Sequence, residues 1–209
     1  MTEIQVGRLL RASIRGCVAG CQASQDFPDF GAMVMISLKE DVQIFGLVTD
    51  IHIDDDGLVR QLAAANQVPD EVIQDNRLNR NVPVEMSVIF IGHARGGEIS
   101  HQLPPQPPLS LDSLLTCGAD LARAFTRAGR FGYLRQILSA EEVATADLLA
   151  AHLAQASSAH AAAGDTAWLT DAIREVITLL RDDHELLTAV LGAIADILPA
   201  HFANDQGAF

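Results

Sequence analysis

The side chains able to do chemistry are few and widely spaced. Cys17 and Cys21 lie four residues apart, with His52, His93 and His101 further on in the same half, a set that could offer zinc sulfur and nitrogen ligands. The spacing departs from the common Cys-x-x-Cys pair, and no second pair occurs. Both cysteines also fall in a predicted strand, so they are expected to be buried thiols. Asp54, Asp55 and Asp56 precede Gly57 and suggest a calcium loop. An EF-hand aligned on that glycine needs an acid at its first position and a glutamate at its last, where this chain has His52 and Ala63. The run is expected to be a hairpin turn, and no metal is expected.

Nucleotide chemistry fares no better. A P-loop wraps phosphates in glycine backbone N–H groups and ends in Lys-Ser/Thr. The one lysine, Lys39, precedes Glu40 and Asp41 and comes after no glycine-rich turn, and Gly92-His93-Ala94-Arg95-Gly96-Gly97 lacks the required ending. There is no Gly-x-Ser-x-Gly elbow for a nucleophilic serine and no His-Glu-x-x-His arrangement. The seven histidines are scattered and read as surface or rim positions. No catalytic or cofactor-binding residue is assigned, no cofactor is expected, and the chain is not expected to be an enzyme.

Charge narrows the partners. Residues 1–104 carry 8 basic and 14 acidic side chains and residues 105–209 carry 6 and 13, so the halves contribute −6 and −7 to a net charge of −13. A surface of that sign repels phosphates, and neither half has the basic patch that nucleic-acid binding requires. No apolar run approaches the ~20 residues of a membrane helix. The first residues lack the pattern of a secretory signal and the three cysteines suggest no disulfide framework, so a cytoplasmic location is expected.

The elements divide at Leu103-Pro104-Pro105-Gln106-Pro107-Pro108-Leu109, which holds four of the eight prolines. Upstream, apolar residues recur with period two; downstream they recur every three or four residues among alanines and leucines. Strands are read at residues 4–10, weakly at 13–24, at 32–38 (apolar on both faces), at 43–53, at 82–90 and at 99–103. An irregular insertion spans 58–81. Six or seven short strands in about 100 residues suggest a closed barrel, which leaves no exposed edges. Downstream, Ser110 or Asp112 is read as the cap of a helix with Leu111, Leu114, Leu115, Leu121 and Phe125 on one face, stopping at Gly129. Residues 131–138 form a linking helix. Ser139-Ala140-Glu141-Glu142 reads as a capping box opening a helix to about Ala163. The apolar face of 169–197 is wide enough to sit in a helical bundle, with Asp182-Asp183-His184-Glu185 either a connection or a polar turn.

Val6-Gly7-Arg8-Leu9-Leu10, Pro28-Asp29-Phe30-Gly31-Ala32-Met33-Val34, Ile44-Phe45-Gly46-Leu47-Val48-Thr49-Asp50-Ile51, and Pro83-Val84-Glu85 through Ile91-Gly92, closed by a proline-rich exit, resemble the HAS barrel. That is the β-barrel at the N-terminus of HerA-type ATPases and of the catalytic-ring subunits of ATP synthases. The resemblance covers residues 4–108 and implies ring assembly and docking of accessory proteins. The chain departs from the family after the prolines, where a strand and a phosphate-binding loop would come next.

The expected fold is therefore α+β: an N-terminal small closed β-barrel over residues 1–103, a proline-rich joint at 104–109, and a C-terminal α-helical bundle over 110–209. The expected role is a non-catalytic assembly, docking or regulatory module. Its partner would be a protein, with the resemblance pointing to a P-loop ring ATPase, or a second copy of the chain; neither nucleic acid nor membrane is expected. Arg77 and Arg80 in the insertion and Arg95 in the Gly96-Gly97 turn are the candidate partner contacts, because a guanidinium fork holds carboxylates and its stem packs on apolar surface. The rival is a small-molecule-binding protein or enzyme whose site, at the barrel mouth or the domain interface, uses residues such as Asp50, His52 and His93.

Overall fold

A computed structural model describes residues 3–21, 27–53, 64, 68–72 and 84–198. Seven strands come first: β1 (Gln5–Ala12), β2 (Gly16–Cys21), β3 (Met33–Leu38), β4 (Val42–Ile53), β5 (Val84–Arg95), β6 (Glu98–Ser100) and β7 (Ser113–Thr116). All pairings are antiparallel, in the order β2-β1-β7-β3-β4-β5, and β2 pairs with β5 to close a six-stranded barrel. The short β6 pairs with the far end of β5. The fold is α+β with a closed barrel.

The closing strand β7 lies beyond the prolines, where a helix capped by Ser110 or Asp112 is expected. It slots between β1 and β3, so the boundary at 109/110 would cut the barrel open and the first long helix starts only at Ala119. Residues 104–109 are no free linker either. Pro104 and Pro108 are buried, and the run straps across the barrel end before the chain turns into β7.

Simple alternation also fails in β1. Ile4 and Leu10 are exposed while Val6, Gly7 and Leu9 are buried, because the register slips between Gln5 and Gly7 and again between Leu9 and Arg11. A bulge inserts one residue and moves the next side chains along the strand to the other face. The same device operates where Phe45–Gly46 on β4 opposes Phe90–Gly92 on β5. Phe90 faces the barrel interior, while its neighbour Ile91 faces out with Phe45.

Strands β3, β4 and β5 are buried on both faces. Val34, Ile36, Ile44, Val48 and Phe90 fill the barrel; Met35, Phe45, Leu47 and Ile91 lie beneath the helices. That is why residues 32–38 are apolar on both faces, Ser37 apart. The covering helices are α1 (Ala119–Arg127), α2 (Leu134–Leu138), α3 (Thr145–Ala162), α4 (Trp168–Leu179) and α5 (His184–Ile197), with a tight turn between α1 and α2. Helix α3 touches the other four, which explains why buried side chains run around much of its girth, from Leu148 to His160. Residues 139–142 do not cap it, because the chain bends there and Glu142 takes φ 59°. Asp182 and Asp183 belong to a true connection while His184 and Glu185 open α5, with the Asp183 carboxylate accepting from the Leu186 amide at 3.0 Å to cap the helix. Phe45 on the barrel and Phe125 on α1 meet with ring centroids 4.5 Å apart, inside one continuous core that joins strands to helices.

Candidate docking surface at the strapped end of the barrel

Two hairpin tips and the proline strap meet at one end of the barrel. The β3–β4 tip is Lys39, Glu40 and Asp41, whose acids have φ 62° and 57°; the β5–β6 tip is Gly96 and Gly97, with φ 58° and 81°. The Asp41 carbonyl accepts a bond from the Gly96 amide at 3.1 Å, which locks the tips together. Nothing lies within 4 Å of where a Cβ would sit on either glycine, so glycine is there for backbone conformation and not for space.

The strap adds the other wall. Asp112 closes a turn by accepting from the Leu109 amide at 2.8 Å, and Leu111 is held at φ 72° with its amide donating to the Leu9 carbonyl at 2.8 Å. Leu109 and Leu111 are thereby left 71% and 67% exposed. An L-residue in the left-handed region costs roughly 1–2 kcal/mol, so the fold spends stability to hold an apolar side chain in water. Between tips and strap lies a groove of about 370 Å³ bordered by Leu38, Lys39, Arg95, Pro105, Pro107 and Leu109. Its lining also includes Glu40 and Asp112, so two cationic and two anionic heads stand over an apolar wall, an arrangement able to grip a chain segment.

Of the residues singled out from the sequence, Arg95 therefore sits on the groove. Arg77, Arg80 and the Asp54–Gly57 turn lie outside the described residues. Asp50 and His52 are brought together elsewhere on the barrel: His52 Nδ1 lies 3.2 Å from Asp50, its Nε2 lies 3.7 Å from Glu85, and Glu85 lies 3.6 Å from Arg11. A cleft of about 470 Å³ between the β1–β2 hairpin and loop 139–143 adjoins them, with Arg11, Thr49 and Ser87 on its wall. His93 does not join this group. It pairs with Ile44 towards the opposite end of β4 and bonds the Gln102 carbonyl at 3.1 Å.

Cys17 and Cys21 face the barrel interior as free thiols, and burial pushes their pKa values up to about 12 and about 11. Among the described residues no group of three or more His, Cys, Asp or Glu side chains is placed to hold a metal, and no helix is long and apolar enough to cross a membrane.

Two arrays escape the sequence reading. On the helices, Thr126 Oγ1 lies 2.9 Å from His160 Nε2, and His160 Nδ1 lies 3.0 Å from Asp165, which also takes Arg127 at 2.7 Å. The carboxylate favours a proton on Nδ1, and the Thr126 hydroxyl also donates to the Ala122 carbonyl at 2.8 Å. The chain of groups has the order of a nucleophile–base–acid triad, but Thr126 is 1% exposed and the imidazole is stacked on Trp168 at 4.4 Å. It ties the end of α1 to the α3–α4 loop. In the second array His152, fully buried on α3, accepts from the Tyr133 hydroxyl at 3.2 Å, beside Phe125 and His101. Burial pushes the His152 pKa down to about 4 and the Tyr133 hydroxyl up. The surface or rim expected for the histidines is thus wrong for His152 and His160. No spacing could have signalled either array, since each draws on three separated segments. Compared with models of known protein families and with curated proteins, the chain matches none.

Proposed function

We propose that this protein is a non-catalytic docking or assembly module, built as a barrel followed by a helical bundle that covers one side of it. The observation that carries the reading is the groove at the strapped end, where the solvent-held Leu109 lies with Lys39 and Arg95, next to a turn that holds Leu111 left-handed and exposed. Exposed leucines on a strained turn are costly in a free protein and useful in an interface. The resemblance of residues 4–108 to the HAS barrel supplies the partner class, a ring-forming HerA-type or ATP-synthase-like ATPase, with self-association as the other mode of assembly. The acidic surface supports a protein partner over nucleic acid.

Co-expression with a HerA-type ATPase followed by size-exclusion chromatography with light scattering tests this. A joint peak is expected, weakened by K39Q/R95Q; a chain that elutes alone and monomeric overturns the reading. A second reading, a small-ligand site, is favoured only by the convergence of Asp50, His52, Glu85 and Arg11 beside the 470 Å³ cleft. Ligand-observed NMR against a metabolite set, repeated with H52Q, decides it: signals lost from wild type and restored in the variant would favour that site.

A further inference from the structure

The corner between α1 and α2 gathers positive charge within an acidic chain. From Leu121 to Ala140 there are four arginines, Arg123, Arg127, Arg130 and Arg135, and no acidic residue, within a chain of net charge −13. Two of them are neutralised, Arg123 by Asp120 and Arg127 by Asp165. Arg130 and Arg135 are exposed and form no ion pair among the described residues.

The backbone that presents them is unusual. Gly129, Arg130 and Phe131 all lie in the left-handed region, at φ 55°, 51° and 56°. Left-handed residues normally occur singly and as glycine, yet two of these three carry side chains. Glycine at 130 would be more comfortable. The turn is held from beneath by His101, whose Nε2–H donates to the Phe125 carbonyl at 3.0 Å in the last turn of α1. A Cβ on Gly129 would meet His101 Nδ1 at 2.9 Å, and one on Gly132 would meet both Nδ1 and the Arg135 guanidinium at 3.2 Å. Phe131 adds an aromatic contact to Trp168 at 5.8 Å. The Arg135 guanidinium thus lies beside the packed imidazole, against Gly132, and Arg130 stands exposed on the left-handed turn. His101 Nδ1 is buried without a partner, a further departure from the usual satisfaction of buried polar atoms.

We propose that this corner docks an acidic segment of a protein partner, with carboxylates held by the forks of Arg130 and Arg135. A carboxylate accepts two parallel bonds from a guanidinium. The corner's surplus of two charges is far short of the many phosphate contacts that nucleic-acid binding uses, and the acidic remainder of the chain repels a polyanion at long range. No residue of the corner lines the barrel groove.

Fluorescence anisotropy at low salt tests it, with a labelled poly-glutamate peptide as probe and a labelled DNA duplex as comparison. The peptide should bind the full chain, and R130Q/R135Q should lose roughly tenfold in affinity, as expected for two modest charge pairs. R130G removes one fork while relaxing the backbone; it should lose roughly threefold yet melt no lower than wild type, which separates recognition from folding. K39Q/R95Q should bind as wild type does, so that a failure of the barrel groove is distinguishable from a failure here. Equal binding by R130Q/R135Q, no binding by wild type, or preference for the duplex would overturn the proposal.

Discussion

The barrel interior and the layer between barrel and helices are both dry cores, and they are made of different things. Inside the barrel the filling is aliphatic apart from Phe90, with Cys17 and Cys21 as small apolar thiols. The outer layer contains Phe45, Phe125, Tyr133 and Trp168, and among the described residues the buried polar side chains Thr126, His152, Ser157 and His160 all lie on the helices that form it. A closed ladder satisfies its own backbone, so a narrow barrel needs only shape from its side chains. Packing a helix on a sheet leaves wider gaps, which aromatic rings fill, and their polar tips then need partners. The buried histidines, the groups whose protonation can respond to mild acid, therefore reside in the outer layer.

The sharpest break in that comparison comes from cutting the chain. Residues 1–108 lack β7, leaving β1 and β3 unpaired along one edge, and should show no cooperative melt by circular dichroism. Residues 1–118 restore the strand but expose Met35, Phe45, Leu47 and Ile91, and should aggregate. A sharp melt from 1–108 at the temperature of the full chain would mean that closure by β7 contributes little.

Single substitutions come next. Phe125→Ala and Phe90→Ala should each cost about 3–5 kcal/mol in urea unfolding, one from each core. Paired with Phe45→Ala, Phe125→Ala should show a coupling of ~1 kcal/mol, since those tilted rings lie 4.5 Å apart. Phe90→Ala with Phe125→Ala should be additive within ~0.5 kcal/mol, because the sheet separates them. Equal coupling for the two pairs would dissolve the division into two cores.

The pH response is smaller and one-sided. His152 is held neutral, its pKa pushed down by burial to about 4, while an unfolded histidine titrates near 6.5. The unfolded chain therefore takes up the proton first. Stability is complete above about pH 6.5 and is lost as pH falls towards 4, by up to ~3 kcal/mol from this group. Burial likewise pushes His101 and His160 down, so they add in the same direction, although Asp165 opposes the shift at His160. Urea unfolding at about pH 7 and about pH 4.5 should reveal the loss, and His152→Gln should remove most of it. Parallel pH curves for variant and wild type would clear His152 of the effect.

The smallest expected effect is none at all. Cys17 and Cys21, with pKa values pushed up to about 12 and about 11 inside the barrel, should resist thiol reagents until the chain unfolds. Stoichiometric labelling of the native protein would show that this interior is open to water.

The docking candidates divide in the same way between the legible and the hidden. Arg95 is visible because it stands before Gly96-Gly97, a turn signal that needs no tertiary context. Arg130 is hidden because Gly129 reads as an ordinary helix stop. Nothing local announces that the two residues after it remain left-handed, since only the packing of His101 and Phe131 holds them there.

Much of the architecture belongs to the sequence alone. Residues 32–38, apolar on both faces, announce a strand buried on both sides, and Val84, Met86, Val88 and Phe90 announce an inward row; Gly164 and Asp183 mark helix breaks where they occur. These are local properties, repeated over enough residues for a period to show. What closes the barrel is not local. Strand β7 has four residues, with Leu114 facing the barrel and Leu115 the helices, and it comes after four prolines that read as a boundary. Its conformation is chosen by the gap between β1 and β3, as the bulges in β1 and β5 are chosen by the register of their neighbours and the neutrality of His152 by the helices around it. Pairing across more than a hundred residues leaves no trace in a short window, so those features exist only once the chain has folded.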